Sequence, residues 1–446
     1  MKDIKAICVI LLAGVTALAT TSCRFEDDEY FGESAALRIE HKAQDMQHTL
    51  ASAQNGWVIQ YFCGREVSVF EGFNLFASFD QNSKVTMAGN HRFLRDGNAG
   101  KYTESTSLYQ ILKEEGLVLA FNTWNDVLTP FVDPVAWYYA PELIVKDGAG
   151  MNGDQNLVVL SFSDKEILLR GERFQGHVRM IPCDRPWQDY INDSETMRNA
   201  ISSDAVNEYY VTNGTETKYI SGLHNGRMRY SEQLVNYVQN DSLSCVFTPT
   251  GLRFETPVEL GEDKFQELTL TDDKTHLVSE DGKVTVTAAW SKYLATTGDI
   301  FWIDMESVSD DLKAEIEKVA AAFTAWNKNS SLSRIGFGLS NASNGVNGIV
   351  VEWGVKSFGR ITLYKGGLSM KRHSDSLGEL TIESFDEPLP DNSLSGSNRG
   401  KVVEAVYELG KVLSTTWSLT PDSYFAPTTV TYTAKNGSAT FTTTKQ

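Results

Sequence analysis

Phe73-Asn74-Leu75-Phe76-Ala77-Ser78-Phe79 is the stretch on which the fold reading turns. Apolar side chains at 73, 75, 77 and 79 alternate with Asn74, Phe76 and Ser78, and successive side chains of an extended chain point to opposite faces, so this is a strand with one buried face. Downstream, Leu157 to Phe162 and Glu166 to Arg170 flank Ser163-Asp164-Lys165, a hairpin pattern. His177 to Ile181 adds a short strand, and Pro182 to Pro186 closes the unit. Upstream the period lengthens. Ser34 can cap a helix whose apolar Ile39, Ala43, Met46 and Leu50 step by 4, 3 and 4, and Asn55-Gly56 ends it.

The same alternation of periods continues. Pro186 is placed as a first helical residue for a segment from Trp187 to about Val206. Strand-like runs follow at Ser244 to Thr248, Gly251 to Glu255 and Lys283 to Ala288. Ser309 caps the clearest helix, with Leu312, Ile316, Val319, Phe323 and Trp326 on one face. Gly348 to Trp353, Arg360 to Tyr364 and Glu379 to Ser384 read as strands. A helix then carries Val402, Val406, Leu409 and Leu413, and two Thr-rich strands lie near Pro427 to Thr433 and Ser438 to Thr443. Helices open the sections and short strands fill them, without sustained strand-helix-strand alternation. The expected class is therefore α+β, with antiparallel β-sheet-rich domains each carrying one or two packed helices. The expected sections are residues 33–186, an N-terminal α+β domain, 187–300, a middle β-rich section, and 301–446, a C-terminal α+β section.

Residues 1–22 have the order of a secretory signal peptide: Lys2 and Lys5, an apolar run from Ala6 to Ala19, then Thr20-Thr21-Ser22 before Cys23. The apolar run is shorter than the ~20 residues needed to span a bilayer. Ser22-Cys23 resembles a lipobox, which makes Cys23 the lipidated residue and the membrane a partner through the N-terminal lipid. Arg24-Phe25-Glu26-Asp27-Asp28-Glu29 follows, so residues 23–32 form an acidic tether that resembles the surface-export signal of Bacteroidetes lipoproteins. The expected address is the outer membrane, lipid-anchored and exposed at the cell surface. The chain carries a formal charge of −18, and removing Lys2, Asp3 and Lys5, which together carry +1, would leave about −19. Such a balance argues against nucleic acid, whose binding relies on clustered Lys and Arg. Beyond Cys8 and Cys23, the cysteines are Cys63, Cys183 and Cys245, compatible with one disulfide plus a free thiol or with three buried thiols.

Several stretches together resemble an uncharacterised family of Bacteroidetes lipoproteins, a domain of unknown function. They are the acidic run with Asn55-Gly56-Trp57, Ser107-Leu108-Tyr109 through Gly116-Leu117-Val118-Leu119 to Phe121-Asn122-Thr123-Trp124-Asn125, and Phe247-Thr248-Pro249-Thr250-Gly251-Leu252 with Lys264-Phe265-Gln266-Glu267. Leu419-Thr420-Pro421-Asp422-Ser423-Tyr424-Phe425 with Pro427-Thr428-Thr429 completes them. Leu128-Thr129-Pro130-Phe131 departs from the pattern, in which a His precedes an aromatic residue. The resemblance implies a place beside SusC/SusD-type nutrient-uptake machinery and supplies no catalytic residues.

Chemical motifs are sparse. Gly148-Ala149-Gly150-Met151-Asn152-Gly153 matches GxGxxG, but a strand-like run rather than a helix follows, which favours a loop over a dinucleotide site. Asp147, Asn152, Asp154 and Asn156 lack the spacing of a calcium loop. His41, Asp45 and His48 share a helix face opposite the apolar stripe and read as solvated residues rather than zinc ligands. There is no GxSxG or SxxK set, and paired carboxylates cannot be located from sequence. No catalytic residue, metal site or cofactor is expected. Asp241-Ser242-Leu243 and Asp375-Ser376-Leu377 resemble a short O-glycosylation sequon. Trp137-Tyr138-Tyr139, between Pro134 and Pro141, offers three large rings for stacking on a sugar, with packing over a sheet as the competing reading. The expectation is a surface-exposed lipoprotein capturing a glycan or peptide beside a SusC/SusD-like transporter, with a scaffold subunit or an unrecognised hydrolase as the alternatives.

Overall fold

Leu75, Ala77 and Phe79 do turn to one side of β2 (Phe73–Phe79), and they meet there the interior of a closed barrel. The computed structural model describes residues 34–64, 71–133, 151–202, 208–231, 242–288, 300–329, 331–339, 347–354, 359–363, 368–372, 378–384, 399–425 and 427–445. The first barrel runs β1 (Trp57–Tyr61), β2, β3 (Lys84–Gly89), β4 (Thr103–Lys113), β5 (Leu117–Phe121), β6 (Asn156–Phe162), β7 (Ile167–Gly171) and β8 (His177–Pro182). Each strand pairs antiparallel with the next. β8 returns to β1, with Trp57 opposite Pro182 and Tyr61 opposite Val178. Alternate residues such as Trp57, Ile59, Leu119, Leu169 and Met180 fill the lumen, which suits an eight-stranded barrel just wide enough for side chains.

A second closed barrel follows the same up-and-down order: β9 (Glu208–Thr212), β10 (Thr217–Ser221), β11 (Arg227–Ser231), β12 (Ser242–Thr248), β13 (Gly251–Leu260), β14 (Asp263–Leu270), β15 (Leu277–Ser279) and β16 (Thr285–Ala288), which pairs back with β9. The last unit is a nine-stranded antiparallel sheet. Its strands are β17 (Ile300–Ile303), β18 (Leu332–Leu339), β19 (Asn347–Trp353), β20 (Gly359–Leu363), β21 (Leu368–Arg372), β22 (Glu379–Ser384), β23 (Thr416–Pro421), β24 (Thr429–Ala434) and β25 (Thr440–Lys445). They lie in the order β20-β19-β18-β17-β25-β24-β23-β22-β21.

The described helices are α1 (Ala35–Ser52), α2 (Thr129–Val132), α3 (Trp187–Ile201), α4 (Asp310–Trp326) and α5 (Arg399–Leu413). The Ser34 hydroxyl accepts from Leu37 N and caps α1 as its sequence position implies. Met46 and Leu50 then drop into the first barrel, and full burial of such a side chain stabilises by about 1.5–3 kcal/mol. Gly56 turns the chain from α1 into β1 at φ +67, and a Cβ there would sit 2.5 Å from Ala77 O, so both the backbone and the close approach call for glycine. α4 and α5 pack on each other and, through α5, on β22. No described helix is long and apolar enough to cross a membrane.

The α+β expectation of domains with packed helices is overturned: the chain is mostly β, two closed barrels and a third sheet, with few helices. A period of two looks alike in an open sheet and in a barrel, and closure depends on pairing the first strand of each unit with the last. The reading of β2 as buried on one face also changes. Phe76 faces outward yet is fully buried, stacked on Trp187 (5.9 Å) and edge-on to Tyr190 (5.6 Å) of α3. α3 itself ends at Ile201 rather than near Val206.

Candidate functional site

The two ends of the first barrel differ in the length of their connections. Turns 80–83, 114–116 and 163–166 lie at the end that α1 closes, whereas the connections that follow β1, β3, β5 and β7, of residues 62–72, 90–102, 122–155 and 172–176, start and finish at the opposite end. Long connections on a rigid scaffold are where binding groups collect. Phe131 of α2 plugs this loop-rich end, with its ring 5.3 Å from Tyr61, 4.8 Å from Phe73 and 4.5 Å from His91. Its carbonyl accepts from Met151 N and Gly153 N, so the chain returns to the place it left at Asp133. The Tyr61 hydroxyl donates to Asp154 O (3.1 Å) and accepts from Asp154 N (2.8 Å), and the Asp154 carboxylate accepts from Arg173 N and Phe174 N. These bonds fix loops to one another. Burial pushes the Tyr61 hydroxyl and the Cys63 thiol well up, and a neutral thiol is a poor nucleophile.

On the outside of this end stands Trp124, 49% exposed and the aromatic one among the exposed large apolar side chains of the described residues. It is held from several directions. The indole Nε1 donates to Asp126 Oδ1 at 2.7 Å, and Asp126 Oδ2 accepts from Ser105 Oγ at 3.1 Å. The Arg95 guanidinium lies over the ring, 4.5 Å from its centroid, and Arg95 is itself ion-paired to Asp133. On either side in sequence, Thr123 Oγ1 accepts from Leu108 N, and the buried Asn125 donates to Ser105 O and Ser107 Oγ while accepting from Val127 N and Leu128 N. Because the indole N–H is already used, what the side chain offers outward is apolar ring surface. Amide groups stand nearby in the chain, with Asn122 Nδ2 donating to Gln110 Oε1 at 2.7 Å. A fixed aromatic face beside amides suits the C–H face and hydroxyl rim of a sugar ring.

Trp137, Tyr138 and Tyr139 lie outside the described residues, within the same 122–155 connection that carries Trp124. Cys23, the signal peptide and the tether also lie outside them, as do Asp147, Gly148 to Gly150, Asp241 and Asp375 to Leu377. Of the GxGxxG stretch, Met151 is buried and the strand β6 follows, as its sequence suggests. Asp154 spends its carboxylate on backbone N–H groups. His41, Asp45 and His48 are exposed on α1. Among the described residues no three His, Cys, Asp or Glu side chains gather as a metal site. Cys63, Cys183 and Cys245 are three buried free thiols. Sequence reasoning used Trp124 only as part of a family pattern; its signal was a Trp within the polar run Asn122-Thr123-Trp124-Asn125-Asp126, where nothing in the periodicity asks for a core residue.

Residues 27–272 match the family described as a domain of unknown function (DUF4302), and the chain belongs to that family. The match covers the first barrel and ends just before β15 and β16 close the second. An uncharacterized protein from Bacteroides eggerthii, 14% identical, is similar over 28% of this chain and 95% of its own, with a TM-score of 0.17. DNA polymerase III subunit beta from Pseudomonas aeruginosa, 9% identical, covers 92% of this chain and 98% of its own, with a TM-score of 0.11. At these scores neither likeness bears on fold or function. No curated protein matches the chain.

Proposed function

We propose that this DUF4302 protein is an outer-membrane lipoprotein, anchored through Cys23 and exposed at the cell surface, that captures a glycan or peptide beside a SusC/SusD-like transporter. The address rests on the Ser22-Cys23 pair and the acidic run from Glu26 to Glu29. The observation that carries the binding half is Trp124, an exposed indole immobilised by Asp126 and Arg95 at the loop-rich end of a rigid barrel. A platform already ordered loses little conformational freedom on binding, which favours affinity for a ligand that contributes few contacts. A glycan is the preferred ligand over a peptide, because the ring presents a face and no free donor.

The test is a glycan and peptide array probed with the full chain in detergent, with Trp124→Ala alongside and a Trp137→Ala, Tyr138→Ala, Tyr139→Ala variant for the second aromatic group. Loss of a buried Trp contact at a binding hot spot costs about 2 kcal/mol, roughly thirtyfold in affinity. Glycan binding that weakens by that much in Trp124→Ala is the expected result. Binding that depends on the triplet alone would move the site within the same connection. A blank array together with co-purification of a transporter would replace capture with a scaffold role.

A further inference from the structure

The charges around Trp124 do not balance. The side chains of Arg95 and Asp133 are 20% and 13% exposed, whereas Trp124 is 49% exposed. The guanidinium that lies 4.5 Å from the ring centroid is thus the better covered group, so it backs the indole from the protein side and leaves the opposite face to solvent. Its positive charge is offset there by the Asp133 carboxylate. Asp126 is placed differently. It is exposed at the edge of the indole, with Oδ1 2.7 Å from Nε1 and Oδ2 3.1 Å from Ser105 Oγ, and it meets no cation within ion-pair distance among the described residues. One positive charge on Arg95 against two negative charges, on Asp133 and Asp126, leaves an uncompensated carboxylate beside the open ring face.

That carboxylate sorts ligands by charge. A carboxylate only accepts, and of its roughly four lone-pair sites the indole and Ser105 take two. The rest can accept from ligand hydroxyls, and a hydrogen bond to an ionised acceptor is about twice as strong as one between neutral groups. A second carboxylate or a sulfate brought to the same edge meets a like charge instead. At a separation of about 6 Å near a protein surface this repulsion is worth roughly tenfold or more in affinity at low salt. The other polar groups of the run add no charge: Thr123 accepts from Leu108 N, and Asn122 is paired with Gln110. The formal charge of −18 on the whole chain has the same sign, but acting from a distance it is screened more completely than a contact at the ring.

We propose that the glycan held at Trp124 is an uncharged one, stacking a ring on the open indole face and donating a hydroxyl to Asp126, and that acidic glycans are turned away by the same carboxylate. This rests on the Trp124 reading and narrows its ligand class. The test is biolayer interferometry of the full chain in detergent against starch, mannan, galactan and mixed-linkage β-glucan, each in its native form and after oxidation of its C6 hydroxyls to carboxylates, repeated on Asp126→Asn and Trp124→Ala. At least one native form should bind, and its oxidised form should bind roughly tenfold more weakly at low salt. Asparagine keeps the shape of the side chain and an oxygen for the indole N–H. Asp126→Asn should therefore weaken the native form about threefold while strengthening the oxidised one, and raising NaCl to about 0.5 M should narrow the gap in the wild type. Equal affinity for the two forms overturns the charge selection and leaves capture at Trp124 standing. Loss of both forms alike in Asp126→Asn also overturns it, because the carboxylate would then only prop the indole. Should that variant fail to fold, a wild-type gap that salt leaves unchanged overturns it as well. No binding of any native form, or native binding indifferent to Trp124→Ala, removes the Trp124 reading itself and this inference with it.

Discussion

The two barrels share strand number, direction and closure, but they keep their cores differently. The first has an interior of its own, sealed at one end by Met46 and Leu50 of α1 and at the other by Phe131. The interior of the second runs on without a break into the nine-stranded sheet, through Tyr209 stacked on Phe425 (6.2 Å) and on to Trp417, Tyr432 and the buried faces of α4 and α5. The long loops and the exposed indole belong to the barrel with the separate core. An element that does not rely on its neighbours for packing can carry elaborate loops without passing their cost to the rest of the molecule. α3 joins the two: Tyr190 and Ile191 pack on the outer wall of the first barrel, and Ile201 enters the core of the second.

The sharpest way to break this comparison is Tyr209→Ala. Emptying that volume should cost roughly 3–5 kcal/mol, the range for large aromatic deletions in a core. Hydrogen exchange followed by mass spectrometry should show the second barrel and the third sheet losing protection together while the first barrel keeps its own. Equal loss in the first barrel would mean that all three units unfold as one.

Acid should act the other way round, on the first barrel. His91 is held neutral by burial at a pKa of about 4 against an ordinary 6.5, so between those values the unfolded chain binds the extra proton. Stability from this group is therefore full above about pH 6.5 and falls as pH drops towards 4, by about 3 kcal/mol at most. Glu71, raised by burial despite Arg198, works in the opposite sense, because its proton is bound more readily in the folded state and its contribution is lost as pH rises. The comparison of wild type with His91→Gln separates the two. Urea unfolding monitored through the first barrel should lose its fall in stability towards pH 4 in the variant, leaving the opposite trend of Glu71, and an unchanged slope would remove the histidine from the account.

The smallest expected effect lies at the second seam between the barrels. Arg179 of β8 reaches Glu166 of the same barrel (2.5 Å) and Glu267 of β14 (2.7 Å), and Arg253 of β13 joins Glu267 (3.2 Å). Arg179→Ala should cost about 1 kcal/mol or less, because partly exposed ion pairs contribute little, and raising the salt concentration should shrink even that. A larger, salt-independent loss would show the two barrels to be more tightly coupled than their separate cores imply.

Much of the local structure was legible from residues alone. The Phe73 to Phe79 alternation marks β2 from end to end, Glu379 to Ser384 marks β22, and the 4-3-4 steps mark the buried Leu312, Ile316, Val319 and Phe323 of α4. Other strands were silent. β1 is buried at all five positions and β5 likewise, so neither alternates, since burial of the outer wall erases the polar half of the pattern. Trp124 was visible as a residue but not as a platform, because Arg95 reaches its ring from the 90–102 connection and Ser105, which holds Asp126, comes from β4.

By itself, then, the sequence determined the elements whose cause is local: the capped helices, the hairpin turns and the strands with one wet face, each set by neighbours a few residues away. Only the tertiary structure decided that β1 pairs with β8 and β9 with β16, that Phe76 is covered, and that Arg95 lies over Trp124. Those facts depend on partners far apart in the chain. A period of two or of 3.6 says which face of an element is buried, and it carries no information about what lies against that face.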